Sequence, residues 1–241
     1  MTNDGDTFLW GELEGRTITF PMSVPEVHVA TALFAVPAEA AARLLPGAAF
    51  EVVEAEPGVA HLVIAACDYV DNPWGDYDEV NLGLMARPRG AEVGTVGTFV
   101  WRMPVNQAFT CLAGNVVMGF PKTVEDIEVT ATDDDVTFRL GCDRIHALTL
   151  TVPRSTAPDE PPTRLAAESY SYLGGVPHTT TLEMDLGTPV DPSAVRLELG
   201  GGPVADELAS LGLPATPLFA TWGESLGAVF HPARPLADPA A

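Results

Sequence analysis

Short β-rich runs, each stopped by proline or glycine, recur along almost the whole chain and leave room for only brief helices. Residues 27–36 (VHVATALFAV) and 61–69 (HLVIAACDY) are apolar and rich in strand formers, with a turn at Pro57-Gly58 ahead of the second. Residues 77–85 alternate. Val80, Leu82 and Leu84 share one face of a strand, while Glu79, Asn81, Gly83 and Met85 share the other. Residues 50–55, 98–103, 136–152, 170–184, 194–199 and 220–230 read as further strands, and Ile127, Val129 and Ala131 alternate ahead of the acidic turn Asp133-Asp134-Asp135. Helices fit at 37–45, opened by Pro37 and ended by Pro46, and at 106–115 and 205–211. This pattern predicts an α+β protein on a mostly antiparallel, curved, barrel-like β-sheet. One domain over 1–241 is expected, with 1–15 and 236–241 as flexible tails and 153–163 (PRSTAPDEPPT) as a surface loop.

Charge narrows the function classes. The 33 acidic residues outweigh 12 basic ones for a net charge of −21, which repels nucleic acid and anionic membrane surfaces. No nucleic-acid or membrane partner is expected, and no apolar stretch is long enough to span a bilayer. Cys67, Cys111 and Cys142 form an odd set without CxxC spacing and read as free thiols. The first residues, MTNDGD, lack the basic and apolar regions of a signal peptide, so a cytoplasmic location is expected. The five histidines show no HxH or HxxxH spacing, so no metal is expected. Gly223-Glu224-Ser225-Leu226-Gly227 matches GxSxG by letter, but no helix pattern follows it, so it reads as a turn. Gly200-Gly201-Gly202 runs into Pro203 rather than opening a nucleotide-binding helix, and no cofactor is expected.

One residue stands out. Eleven of the twelve basic residues are arginines, so Lys122 is the only lysine. It follows Gly119-Phe120-Pro121, where proline fixes its own φ and holds Phe120 extended. An amine on a restrained turn beside apolar side chains suits Schiff-base chemistry, because desolvation favours the neutral, nucleophilic form. A solvated surface lysine in an arginine-rich chain is the alternative.

Gly119-Phe120-Pro121-Lys122 resembles the Gly-x-Pro-Lys turn of the acetoacetate decarboxylase family, and Tyr77-Asp78-Glu79 resembles its Tyr-x-Glu segment at a similar spacing. The resemblance runs from about Arg16 to Pro235 and takes in Ala-Arg-Leu-Leu-Pro46 and the stretch around Arg196. It implies a curved, barrel-like sheet, usually in homo-oligomers. It also implies that Lys122 forms an imine with a ketone and that Glu79 serves as its acid/base partner.

This chain departs from the family pattern in one direction. Thr123 stands where a second lysine is common, and Gly114-Asn115-Val116 stands where Gly-Arg-Glu is usual. A family arginine aligns near Val27 or His28, and a second glutamate near Leu62. Groups that would hold a small keto acid are therefore neutral here, and a Glu79 carboxylate opposes deprotonation of Lys122. The pocket inferred is apolar, lined by Leu62, Trp101, Met103, Met118 and Phe120, with Arg102 as a replacement carboxylate anchor. The implied activity is a cofactor-free lyase acting through Lys122 and Glu79 on a ketone or β-keto acid, by decarboxylation or by aldolase- or dehydratase-type chemistry, with a place in secondary metabolism. A non-covalent cyclase, or a non-catalytic binding protein for an apolar polyketide-like ligand, stays open as the alternative.

Overall fold

The computed structural model describes residues 7–155 and 163–236. Seven long strands wrap into a barrel. In chain order they are β1 (Met22–Pro37), β2 (Val59–Asp71), β3 (Tyr77–Pro88), β4 (Gly97–Val105), β5 (Arg164–Leu173), β6 (Val176–Asp185) and β7 (Phe219–Phe230). Neighbours in sequence are neighbours in the sheet, and β7 pairs with both β1 and β6, which closes the ring. All pairings around the barrel are antiparallel except β4 with β5. Register shifts in β7 between Gly223 and Ala228 add the local bend that closure of a short barrel requires.

A second, four-stranded sheet lies outside. Its order is Asp126–Ala131, Asp135–Cys142, Ile145–Pro153 and Arg196–Leu199, all antiparallel. Strand alternation sends one set of barrel side chains towards this sheet and the other into the barrel. Phe34, Leu62, Ile64, Leu82 and Leu84 pack outward with Phe138, Leu140, Leu148 and Leu150 in one core. Val29, Cys67, Tyr69, Tyr77, Met103, Met118 and Phe120 belong to a second, interior core. The helices are brief: Ala38–Ala42, Ala108–Ala113 and Pro203–Ser210. None is long and apolar enough to cross a membrane.

Three elements differ from expectation. Phe8–Leu13, placed in a flexible tail, pairs with Arg16–Phe20 as a hairpin across Glu14-Gly15, and Trp10 packs on the interior core. The strand expected from residue 170 begins at Arg164, where the alanine-rich Leu165-Ala166-Ala167 has weak β-propensity and is held by pairing with β6. The helix expected over 106–115 stops at Ala113 and continues as a π-helical turn, Gly114–Met118. Residues 1–6, 156–162 and 237–241, which hold parts of the expected tails and most of the Pro-rich loop, lie outside the described residues.

Candidate functional site

The lysine turn grows out of the segment joining β4 to the outer sheet. Gln107 caps the helix Ala108–Ala113 by accepting from Thr110 N at 2.8 Å, and its amide donates to Trp74 O at 3.0 Å. The following π-helical turn ends at Gly119, whose φ of 70° is left-handed. A side chain there would also sit 2.6 Å from the Tyr172 carbonyl oxygen, so both conformation and space call for glycine. Phe120 N donates to Gly114 O, Lys122 N donates to Phe120 O, and Lys122–Val124 then runs parallel to the end of β4 with Met103 opposite Lys122. Asn115 Nδ2 donates to Lys122 O at 2.9 Å and to Cys111 O at 2.8 Å, fixing the lysine backbone.

From there the Lys122 side chain enters the barrel. Its stem lies against Gly114, where a Cβ would come within 2.5 Å of Lys122 Cδ and 2.7 Å of Cε. Nζ lies 2.7 Å from Glu79 Oε2, and the two side chains are 4% and 5% exposed. Glu79 Oε2 is buried and has the Lys122 ammonium as its ion-pair partner. Nζ also donates to Thr110 Oγ1 at 3.2 Å and lies 5.0 Å from the centre of the Tyr77 ring, within cation–π range. Tyr77 stacks on Tyr69 at 4.4 Å between centroids.

These contacts set the protonation of the site. Burial pushes the Lys122 pKa down, but the Glu79 carboxylate and Tyr77 push it up, and the balance lies above the ordinary lysine value. Burial lifts the Tyr77 phenol to about 12 and the Cys67 thiol well above its usual range, so both stay protonated. Lys122 is therefore held as an ammonium, and Glu79 stands within reach of its proton.

A cavity of about 170 Å³ adjoins the pair. Val29, Tyr69, Trp74, Met103, Met118 and Phe120 are among its apolar walls, and Lys122 and Glu79 are the charged groups lining it. Among the described residues no arginine lines it. Towards the other end of the barrel, interior-facing Leu165 and Phe219 are 52% and 46% exposed, so the interior opens to solvent there.

The structure brings together Lys122, Glu79, Met103, Met118 and Phe120. It does not bring Leu62, Trp101 or Arg102 to the cavity. Leu62 points into the outer core, and its neighbour Val63 lines the cavity instead, since one step along a strand reverses the face. Trp101 Nε1 and Arg102 Nε both donate to Glu207 Oε2, at 3.1 and 3.0 Å, and Arg102 Nη2 donates to Glu207 Oε1 at 2.7 Å, outside the barrel. Thr110, Tyr69 and Trp74 had no motif to announce them, whereas Tyr77 stood inside Tyr77-Asp78-Glu79, where its spacing from Glu79 put both on one face. Ser225, in the GxSxG stretch, occupies the β7 bulge with φ 51° and donates through Oγ to Glu26 and through N to His28 Nδ1. No group of side chains suited to hold a metal ion occurs among the described residues.

Comparison with known proteins adds to this geometry. The family model described as acetoacetate decarboxylase matches residues 14–233. No curated protein matches the sequence. Among solved structures, one acetoacetate decarboxylase aligns at 14% identity over 92% of this chain and 91% of that chain, with a TM-score of 0.66. The acetoacetate decarboxylase of Legionella pneumophila aligns at 16% identity, 92% and 89% coverage and a TM-score of 0.64. The enduracididine biosynthesis enzyme MppR, solved with pyruvate, aligns at 19% identity, 93% and 94% coverage and a TM-score of 0.58. At these identities the likeness is one of fold.

Proposed function

The chain belongs to the acetoacetate decarboxylase family, and on that premise we propose that it is a cofactor-free lyase forming a Schiff base between Lys122 and a ketone or β-keto acid. The observation that carries this reading is a lysine 4% exposed, 2.7 Å from a carboxylate, beside an apolar cavity. Burying two charges carries a desolvation cost, and a perturbed ionisable group beside a specific charge partner in a cavity is a functional-site candidate on physical grounds. In the proposed course, a bound carbonyl compound displaces water from around the pair. Glu79 takes the ammonium proton, and the neutral amine adds to the carbonyl carbon. Glu79 returns the proton to the carbinolamine hydroxyl, which leaves as water, and a protonated imine remains. That imine accepts an electron pair from a breaking bond. A β-keto acid then loses CO₂ and its enamine takes a proton from water at carbon, whereas a β-hydroxy ketone gives its hydroxyl proton to Glu79, undergoes retro-aldol cleavage, and has its enamine protonated at carbon by Glu79. Either way water then hydrolyses the imine and releases Lys122.

The absence of arginine among the described residues that line the cavity favours uncharged ketones over small keto acids, so aldol, dehydration and cyclisation chemistry stand beside decarboxylation in this proposal. A non-covalent reading, with Lys122 as a fixed cation or donor, draws its support from the raised pKa of that residue. A single domain, homo-oligomeric assembly, a cytoplasmic location and a place in secondary metabolism belong to the same proposal and rest on the family resemblance and composition.

The test uses the lone lysine. Incubation with β-keto acids and larger ketones, followed by borohydride and peptide mass analysis, should give a substrate-sized adduct on the Lys122 peptide, and Lys122→Ala should abolish it. Ligand binding without any adduct, or turnover retained in full by Lys122→Ala, would move the assignment to non-covalent chemistry.

A further inference from the structure

Beyond the ion pair, the barrel interior carries neutral polar side chains that the imine chemistry does not use. Asn81 lies two residues from Glu79 on the same face of β3, about 7 Å further along at the usual strand rise. Thr98 comes in from β4 over Gly83. A side chain at Gly83 would run into the Thr98 methyl and would sit 3.7 Å from Asn81 Oδ1, so the missing Cβ leaves the two side chains a shared corner. Ser169 of β5 is the register partner of Thr98. All three side chains line the cavity. None makes a side-chain hydrogen bond within the protein among the described residues. Opposite Ser169, and therefore on the same face of the sheet, Thr180 is fully buried with its hydroxyl unpaired. Inside a protein the buried Thr180 hydroxyl is unfavourable unless a ligand or water satisfies it, whereas Asn81, Thr98 and Ser169 are half-buried and available to a ligand that enters the cavity.

Apolar side chains bracket this level. Met103, Met118 and Phe120 lie on the Lys122 side, and Val63, Leu182 and Met184 lie among the remaining walls. A carboxylate at Asn81 would find no cation, whereas an amide and two hydroxyls can both donate to and accept from a neutral oxygen. We infer that the cavity selects an uncharged, elongated ketone carrying a second oxygen, hydroxyl or carbonyl, about 7 Å from the reacting carbon, bonded by Asn81, Thr98 and Ser169. This inference rests on the imine reading for which carbon reacts. At that distance the second oxygen takes no part in bond breaking, so the three residues determine specificity.

Two probes separate the possibilities: methyl nonyl ketone, and the same ketone with a hydroxyl on the middle carbon of its nonyl chain. Each is titrated against the protein by borohydride trapping at Lys122 and, in parallel, by calorimetry. One hydrogen bond gained predicts half-saturation at about five- to tenfold lower concentration for the hydroxy ketone. In Asn81→Leu the ratio should fall to near one, and Thr98→Val should lower it part of the way. Equal half-saturation for both ketones in the unaltered protein would overturn the inference. So would a preference that survives unchanged in both variants. If neither ketone is trapped, the imine reading has failed. The calorimetric ratio then decides the specificity claim alone: a preference lost in Asn81→Leu sustains it, and no preference ends it.

Discussion

Lys122 and Glu79 illustrate how one contact serves two demands. Burial alone favours a neutral amine, and the carboxylate 2.7 Å away holds the proton on instead. Because the folded Lys122 pKa is raised, the stabilisation from the pair is complete at neutral pH and is lost only as pH climbs through that raised value, above the ordinary 10.5. Replacing Glu79 with Gln removes the main upward influence and leaves desolvation in control, so the Lys122 pKa should fall. Reductive methylation followed by mass, with one lysine to modify, reads this directly. The midpoint for Glu79→Gln should move to lower pH than in the unaltered protein. A midpoint that stays or moves upward would show that Glu79 does not set the protonation of the lysine.

At the scale of the element, the segment from Ala108 to Val124 works as a mount. Helix, π-helical turn, left-handed Gly119 and Pro121 together deliver one side chain through the end of the barrel. Gly114 is its tightest point, since the lysine stem occupies the space of a Cβ. Helix propensity alone says that Gly114→Ala should stabilise this turn by up to about 1 kcal/mol. The site says the reverse for activity: a displaced stem moves Nζ from its carboxylate, and a shift of about 1 Å can slow a reaction about 100-fold. Gly114→Ala should therefore keep its thermal midpoint within a few degrees and lose trapping rate by about two orders of magnitude. An unchanged trapping rate would mean that the stem finds another path.

In the whole molecule, the two faces of the barrel sheet divide the tasks. The outward face and the second sheet form a core in which Phe34, Phe138, Leu140, Leu148 and Leu150 are fully buried. The inward face keeps a cavity and a buried ion pair. Stability should therefore be alterable without touching the site. Phe138→Ala, on the outer sheet, should cost about 3–5 kcal/mol, seen as a lower denaturation midpoint, while the folded fraction traps ketones at the usual rate. A trapping defect in proportion to the lost stability would show that the two faces are coupled.

Much of this was legible in the chain. Alternation in residues 77–85 separates an outward row, Val80, Leu82 and Leu84, from an inward row containing Glu79 and Asn81, and the protein keeps that division. Strand-length runs between prolines and glycines announced a mostly β fold, and the lone lysine behind Gly119-Phe120-Pro121 marked the candidate site. Those signals are local: they depend on side-chain period and on backbone freedom at one or two residues. Barrel closure, the pairing of β4 with β5 and the neighbours of Lys122 are not local. Leu62 and Val63 are equally apolar, and which of them faces the cavity depended on register against β1 and β3. Arg102 had the right charge for an anchor, but Glu207, more than a hundred residues away, holds it outside. Thr110 comes from the helix that leads into the lysine turn, but Tyr77 reaches the amine only because a strand distant in sequence packs against that turn. Composition and period determined which side chains share a face, and only the closed sheet decided which face turns inward and which side chains meet.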